Sequence, residues 1–193
     1  MTSSAAHFTP VPTNWIGPIK LIGGVVNDEV SVPLATYETP LWPSTGRGAR
    51  VSQKAGGIRC TIIDERMTRS VALRATNAAA AKQASDEIAN RFEELAQIVT
   101  TTSRFAQLIA VNRQIVGNLL YLRFECSTGD ASGHNMVTKA ADVLLTWLLQ
   151  QYPSLSYSTI SGNFCTDKKT SAVNGILGRG KYVVAEIEIS RTL

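Results

Sequence analysis

The sequence predicts an α+β protein with a β-α-β-β-α-β unit at its centre. Three observations carry that expectation. Residues 105–126, "FAQLIAVNRQIVGNLLYLRFEC", read as two strands broken by turn residues near Gly117-Asn118. Two amphipathic helical stripes flank that hairpin, one on each side in sequence. An alternating segment, "SVALRA" at 70–75, opens the unit, and "SLSYSTI" at 154–160 closes it.

Taken in order, residues 1–16 are rich in Ser, Thr and Pro and read as irregular. "PIKLIGGVVNDEVSVPLATY" carries apolar runs split by Gly-Gly and Asn27-Asp28, and predicts a hairpin ending near Tyr37. "PSTGRGAR" reads as a turn of small residues carrying Arg47 and Arg50. For "VSQKAGGIRCTIIDERMTRS" a short helix followed by a strand fits, but periodicity alone leaves this open. Ala84, Ile88, Phe92, Leu95 and Val99 recur at spacings of three and four and predict one amphipathic helix, with charges on the opposite face. Met136, Ala140, Val143, Leu144, Trp147 and Leu148 predict a second, stopped by Pro153. The unit is therefore a split βαβ, or ferredoxin-like, arrangement. Beyond it come "SGNFCTDKKT", a glycine-rich connection "NGILGRG", and a strand "KYVVAEIEI" with Ala185, Ile187 and Ile189 on one face and Glu186 and Glu188 on the other.

Composition narrows the function. The 193 residues are 44% hydrophobic and 18% charged, a globular balance. No apolar run is long enough to span a membrane, and the N-terminus lacks the pattern of a secretory signal. The net charge of +4 suits an anionic partner, but no block of consecutive cations suggests nucleic acid. The strand "LLYLRFEC" also lacks the glycine-aromatic pattern of an RNA-reading sheet. Cys60, Cys126 and Cys165 are odd in number, lack metal-binding spacing, and read as free thiols of a cytoplasmic protein; no metal site is expected.

Four segments carry chemistry. "SGNFCTDKKT" sets Asp167 directly before Lys168 and Lys169 among small polar residues. "GDASGHNMVTKAAD" joins a strand to a helix; Gly129 and Gly133 allow a tight turn and close approach of an anion to the helix start. An ordinary N-cap supplied by Asp130 or Ser132 explains the same pattern. "TTSRF" places Arg104 beside Ser103, either as a phosphate clamp or as a cation complementing a helix C-terminus. Glu38, before a proline in "TYETP", has no neighbouring charge run. His7 falls in the N-terminal tail and His134 at a helix start, where capping or packing accounts for it.

Together these segments resemble the hydroxymethylglutaryl-coenzyme A reductase family, in the class that includes the eukaryotic enzymes. "SGNFCTDKKTSAVNGILGRGK" is similar to that family's catalytic loop. "GDASGHNM" resembles its dinucleotide-binding motif, with Ser132 and His134 at positions usually held by methionine. "TSRFAQL", "VPLATYETPLWPSTGRGAR" and "MTRS" resemble its cofactor-phosphate and substrate segments. Gly46 departs from an asparagine common in the family.

The resemblance implies reduction of hydroxymethylglutaryl-coenzyme A to mevalonate with two NADPH. Glu38 and Lys168 would be catalytic, Lys168 holding the oxyanion and Glu38 donating protons. Ser44, Arg47 and Arg50 would meet coenzyme A. Arg69 and Lys169 would hold the distal carboxylate, and Ser161, Asn163 and Asp167 other polar groups of the substrate. Ser103, Arg104, Phe105, Asp130, Gly133 and Asn135 would bind NADP(H). Residues 1–68 and 161–193 would belong to an incomplete larger α+β substrate-binding domain, into which a small NADP-binding domain, 69–160, is inserted. The resemblance further implies a homodimer or higher oligomer. The family's later catalytic aspartate, second glycine-rich motif and C-terminal histidine are not in these 193 residues. The expectation is therefore an amino-terminal part of the catalytic region, inactive alone. The alternative is a nucleotide- or coenzyme A-binding remnant that works only with a partner chain.

Overall fold

The computed structural model describes residues 8–193, so His7 lies outside the described residues. They form seven strands and five helices, a mixed α/β fold: β1 (Thr13–Gly23), β2 (Asn27–Ala35), α1 (Leu41–Lys54), β3 (Ile58–Arg74), α2 (Ala78–Ala89), α3 (Phe92–Thr102), β4 (Gln107–Val116), β5 (Leu119–Ser127), α4 (His134–Gln151), β6 (Ser156–Ile160), α5 (Ala172–Leu177) and β7 (Gly180–Glu186). Among the described residues, no helix is long and apolar enough to cross a membrane. The chain divides into two compact units. One holds the described residues up to Ile62 together with Val183–Leu193, and the other is Ile63–Tyr182.

In the first unit, β1 and β2 pair antiparallel from Thr13↔Ala35 to Ile22↔Asn27, the expected hairpin. Strand β1 also runs parallel to the start of β3, from Leu21↔Ile58 to Gly23↔Cys60. Order begins earlier than the Ser/Thr/Pro composition suggests, because β1 already starts at Thr13.

"PSTGRGAR" is not a turn but the body of α1. Pro43 sits in the first helical turn, where its missing N–H is an unpaired donor anyway. Gly46 and Gly48 each cost about 1 kcal/mol of helix propensity relative to alanine. Burial of Ala49 and Ser52, and a hydrogen bond from Trp42 Nε1 to the Leu34 carbonyl at 2.9 Å, tie the helix to its neighbours and outweigh that cost.

In the second unit the strands lie in the order β4-β5-β3-β6, every neighbour antiparallel, and β7 also pairs with β3. Alternation along β5 divides its side chains between two faces. Leu120, Leu122, Phe124 and Cys126 join Val71 and Leu73 in a core closed by Ile88, Leu95, Val99, Val137, Ala140, Leu144 and Leu148. Fully burying a leucine or phenylalanine contributes about 1.5–3 kcal/mol, so this shared face dominates the unit's stability. Tyr121, Arg123 and Glu125 point to the other face, where the segment after β6 packs. Phe164 meets Tyr121 edge-on at 6.3 Å between centroids, and Arg123 Nη2 donates to the Gly178 carbonyl at 2.6 Å.

The stripe read as one helix over 84–99 is two. Helix α2 ends at Ala89, and the N–H groups of its C-cap Asn90 and of Arg91 bond three residues back, to the Glu87 and Ile88 carbonyls. This tightened turn resets the axis, and α3 begins at Phe92. Both pieces keep the apolar face the spacing identified: Ala84, Ile88, Leu95 and Val99 are buried.

The N-cap of α2 is Asn77, whose Oδ1 accepts the Ala80 N–H at 2.8 Å. Asn77→Ala is expected to lower stability by about 1 kcal/mol in chemical denaturation, with an unchanged denaturant slope.

Two further differences fall late in the chain. "NGIL" is not an open connection but part of the short helix α5, capped by Ser171, whose Oγ accepts the Asn174 N–H. Strand β7 stops at Glu186, short of the apolar alternation at Ile187 and Ile189, which are 42% and 56% exposed. Alternation records which side chains could share a face, and not whether the backbone finds a partner strand.

Candidate functional site

The loop after β6 is bent into a shape the chain resists. Ser161, Gly162, Asn163, Thr166 and Asp167 all have positive φ, at 95°, 53°, 57°, 40° and 50°. Such conformations cost non-glycine residues of order 1–2 kcal/mol each and persist only where surroundings impose them. Hydrogen bonds to β3 and within the loop impose them. The Ser161 N–H donates to the Ser70 carbonyl at 2.6 Å, and Ser70 Oγ donates back to the Ser161 carbonyl. Thr166 Oγ1 contacts Ser171 Oγ at 2.6 Å and accepts from Asn174 Nδ2 at 2.7 Å, while the same amide reaches the Lys169 carbonyl at 3.3 Å. The Lys169 N–H closes on the Thr166 carbonyl at 3.1 Å. The turn thus pinned presents Lys168 and Lys169 exposed at its tip.

Asp167 lies between two arginines: Arg179 Nη2 is 3.2 Å from its Oδ1 and Arg69 Nη2 3.6 Å. Arg69 is itself aimed from β3 by a hydrogen bond from Nε to Thr138 Oγ1 at 2.9 Å. A cavity of about 310 Å³ opens beside this group, lined among others by Lys168, Arg179, Arg66, Lys181, Ser132 and His134. A second cavity, of about 350 Å³, is lined by Lys168 together with Gly133, His134, Asn135 and Met136. The fold therefore brings Lys168, read as catalytic, against the glycine-containing segment read as cofactor-binding, though 32 residues separate Lys168 from Met136 in sequence.

That segment is not closed by a conventional cap. Neither Asp130 nor Ser132 caps α4; Gly133 itself occupies the N-cap, at φ 77°, without a side-chain hydrogen bond. Only glycine fits there, since an added Cβ would stand 2.4 Å from Thr128 Cγ2. The first-turn N–H groups stay available to an anion. Ser132 Oγ lies 3.3 Å from His134 Nδ1 instead. Burial, then the charges of Arg179 and Lys168, hold the His134 pKa below the usual histidine value, which favours the neutral ring. Asp130 is exposed in the preceding turn, where Lys181 Nζ donates to the Gly129 carbonyl at 2.7 Å.

Ser103, Arg104 and Phe105 follow α3. Ser103 Oγ accepts the Phe105 N–H at 3.1 Å, and the Arg104 guanidinium lies 4.8 Å over the Phe105 ring, which is 55% exposed. Among the described residues Arg104 has no carboxylate partner, so its charge is free for a phosphate. No hydrogen bond or ion pair joins these three to the 161–171 loop. Glu38, Ser44, Arg47 and Arg50 lie in the first unit. Glu38 is exposed, and its carbonyl accepts the Leu41 N–H at 3.0 Å at the entry to α1. Because α1 is a helix, Ser44, Arg47 and Arg50 recur every three residues along one exposed side.

Sequence reasoning passed over the charges beneath the loop. Arg123 and Glu125 are both fully buried and paired, and Glu125 also accepts from Arg66 Nη1 at 2.5 Å and Asn112 Nδ2 at 2.7 Å. The signal was there: in a strand whose even positions are apolar, two opposite charges at odd positions call for a second covered face. Arg179, quoted within "GRGK" but given no role, has a side chain only 6% exposed. Cys165, buried beside Ser70 and Ser161, has its thiol pKa held below the ordinary value: burial pushes it up, but hydrogen bonds from Ser70, the loop backbone and Ser161 outweigh that.

Comparison with known proteins gives consistent results. The family model for hydroxymethylglutaryl-coenzyme A reductase matches residues 7–193. The 3-hydroxy-3-methylglutaryl-coenzyme A reductase of Pyrococcus horikoshii is 41% identical over 184 residues, 95% of this chain and 45% of that protein. Reductase 2 of Dictyostelium discoideum is 41% identical over 185 residues, 95% of this chain and 34% of that protein. The chain thus spans less than half the length of these curated relatives. A solved class II reductase of Streptococcus pneumoniae, bound to NADPH in open conformations, superposes with a TM-score of 0.70 at 19% identity, over 98% of this chain and 43% of that one. At that identity the likeness is one of fold.

Proposed function

This chain belongs to the hydroxymethylglutaryl-coenzyme A reductase family, and from that premise we propose that the protein carrying it reduces hydroxymethylglutaryl-coenzyme A to mevalonate and coenzyme A with two NADPH. The observation that carries the reading is the cavity shared by Lys168 and the start of α4. It puts a free cation where a dinucleotide held at the helix N-terminus and an acyl group could meet.

NADPH, when bound, supplies the hydride for each of the two reductions. The residues do the rest. Lys168 holds the acyl oxygen as the carbonyl π pair moves onto it and a hemithioacetal oxyanion forms. Collapse of that oxyanion breaks the carbon–sulfur bond, giving mevaldehyde and coenzyme A thiolate, which takes a proton. A second hydride addition to the aldehyde carbon makes an alkoxide, which takes a proton to give the alcohol of mevalonate. Glu38 is assigned the proton donor to the alkoxide, while the proton for the thiolate is assigned to the family's C-terminal histidine, which is not in these 193 residues. Arg69 and Lys169 hold the distal carboxylate, and Ser161, Asn163 and Asp167 bind the remaining polar groups. Ser44, Arg47 and Arg50 bind coenzyme A along the exposed side of α1. The family's use of NADP(H) fits Arg104, unpaired and stacked on Phe105, with Ser103 beside it; Asp130, Gly133 and Asn135 bind from the start of α4.

In this reading, 69–160 is a small ferredoxin-like cofactor domain, which the order β4-β5-β3-β6 supports. It is inserted into a larger substrate domain formed by 1–68 and 161–193. A cytoplasmic, dimeric or higher-order enzyme belongs to the same reading.

The test is an NADPH-oxidation assay with hydroxymethylglutaryl-coenzyme A on the protein as its gene encodes it. Two NADPH consumed per mevalonate are expected, and absence of mevalonate overturns the reading. For the cofactor, NADPH is expected to bind more tightly than NADH. Arg104→Ala should remove most of the difference, since a charge-assisted contact is worth about 1.5–3 kcal/mol. Equal wild-type affinities in fluorescence titrations would refute the role of Arg104.

A further inference from the structure

Arg179 carries more donor capacity than the protein uses. A guanidinium has five N–H donors. Among the described residues, only Nη2 finds a partner, Asp167 Oδ1 at 3.2 Å, while Nε is sealed from solvent without one. Leaving such a group so poorly matched is costly in a buried site. Burial works against the charge, and Asp167 offsets only part of it. The side chain nonetheless lines the same 310 Å³ cavity as Lys168. The other two cations of that wall are occupied: Arg66 by Asp64 and Glu125, and Lys181 by Glu65 and the Gly129 carbonyl. Lys168 and Arg179 are left with capacity for an anion.

The two differ in kind. Lys168 sits at an exposed loop tip. The Arg179 side chain is 6% exposed and fixed to Asp167 at one end, and its backbone is pinned through Gly178, whose carbonyl accepts Arg123 Nη2 at 2.6 Å. A donor held in place before charge appears stabilises developing charge without reorganising.

We propose that Arg179 is a catalytic residue: with Lys168 it forms a two-cation subsite in this cavity for the acyl oxygen that becomes negative as hydride adds to the thioester carbon. The inference rests on the reductase reading above. In the step concerned, one proton with two electrons passes as hydride from the dihydronicotinamide to the acyl carbon, the carbonyl π pair moves to oxygen, and NADPH is left as NADP+. Arg179 donates a hydrogen bond to that oxygen and keeps its proton.

The experiment is steady-state kinetics on the protein as its gene encodes it, with melting curves for every variant. Arg179→Gln is expected to lower kcat about 10²–10³-fold with little change in KM for hydroxymethylglutaryl-coenzyme A. Arg179→Lys should retain part of the rate. Millimolar guanidinium chloride should restore kcat to Arg179→Ala but not to Lys168→Ala. If Arg179 merely held Asp167 in place, the loss would fall on KM, because Asp167 binds substrate. A loss confined to KM, or an unchanged kcat in folded Arg179→Gln, overturns the proposal. Should the Gln and Ala variants fail to fold, Arg179→Lys decides by the same split between kcat and KM. Wild-type protein that forms no mevalonate removes the reductase reading and this proposal together. An active wild type beside an unimpaired Arg179→Gln removes the proposal alone.

Discussion

Lys168→Ala is expected to lower kcat by about 10²–10³-fold, the cost of losing one donor to an oxyanion, and to leave KM almost unchanged. The two adjacent lysines look alike in sequence but are placed differently. Lys168 lines both cavities beside α4 and makes no ion pair among the described residues. Lys169 lines neither, and its backbone closes the turn through Thr166 and Asn174. Lys169→Ala is therefore expected to raise KM more than it lowers kcat. An interaction made only in the transition state acts on kcat, whereas one made equally to bound substrate acts on KM. Reversal of the two effects would mean that Lys169 meets the reacting oxygen and Lys168 the carboxylate.

Glu125→Ala is expected to destabilise the protein by about 3–5 kcal/mol, the usual cost of stripping one partner from a buried ion pair. Glu125 is fully buried, accepts hydrogen bonds from Arg66, Asn112 and Arg123, and is the carboxylate paired with Arg123, itself fully buried. Burial already holds the Arg123 pKa below its ordinary value, with Glu125 the main force restoring it. Without Glu125 the guanidinium is left charged and unpaired under the loop, or the sheet opens to hydrate it. Glu125→Gln keeps acceptor and shape and should cost less. Glu87→Ala, on an exposed face of α2, should lie within about 0.5 kcal/mol of wild type. Denaturant melts of the three variants check the ranking; a Glu125→Ala midpoint equal to that of Glu87→Ala would show that the pair contributes nothing.

Local periodicity reported the faces of elements well and their continuity less well. The strands at 107–116 and 119–127 were visible because Gly117-Asn118 interrupts a run of alternating apolar residues. The helix face at 84–99 was visible too, but not the break at Asn90, since a tightened turn preserves the spacing of the stripe on either side. Helix α1 was hidden because two glycines and a proline argue for a turn, and its stability comes from contacts that local sequence does not express. The loop at 161–171 stood out as chemistry, through Asp167 beside two lysines. Its partners did not. Arg69 and Arg179 lie 98 and 12 residues away from Asp167 in sequence, and only the pairing of β3 with β6 and the turn through α5 bring them to one carboxylate.

The division of the chain has a consequence for how it matures on the ribosome. The second unit is one uninterrupted stretch, Ile63–Tyr182, and can fold as soon as it clears the exit tunnel. The first unit draws on both sides of it. Its early residues emerge first, yet Val183–Leu193 are made only after all of Ile63–Tyr182, and at typical synthesis speeds of about 5–20 residues per second the wait is roughly 6–24 s. Throughout that interval the hairpin of β1 and β2 waits without the last stretch of its unit, and Trp15, Val25, Val26 and Val32, which are exposed in the complete fold as well, face solvent from the start. The middle of this protein is finished before its beginning.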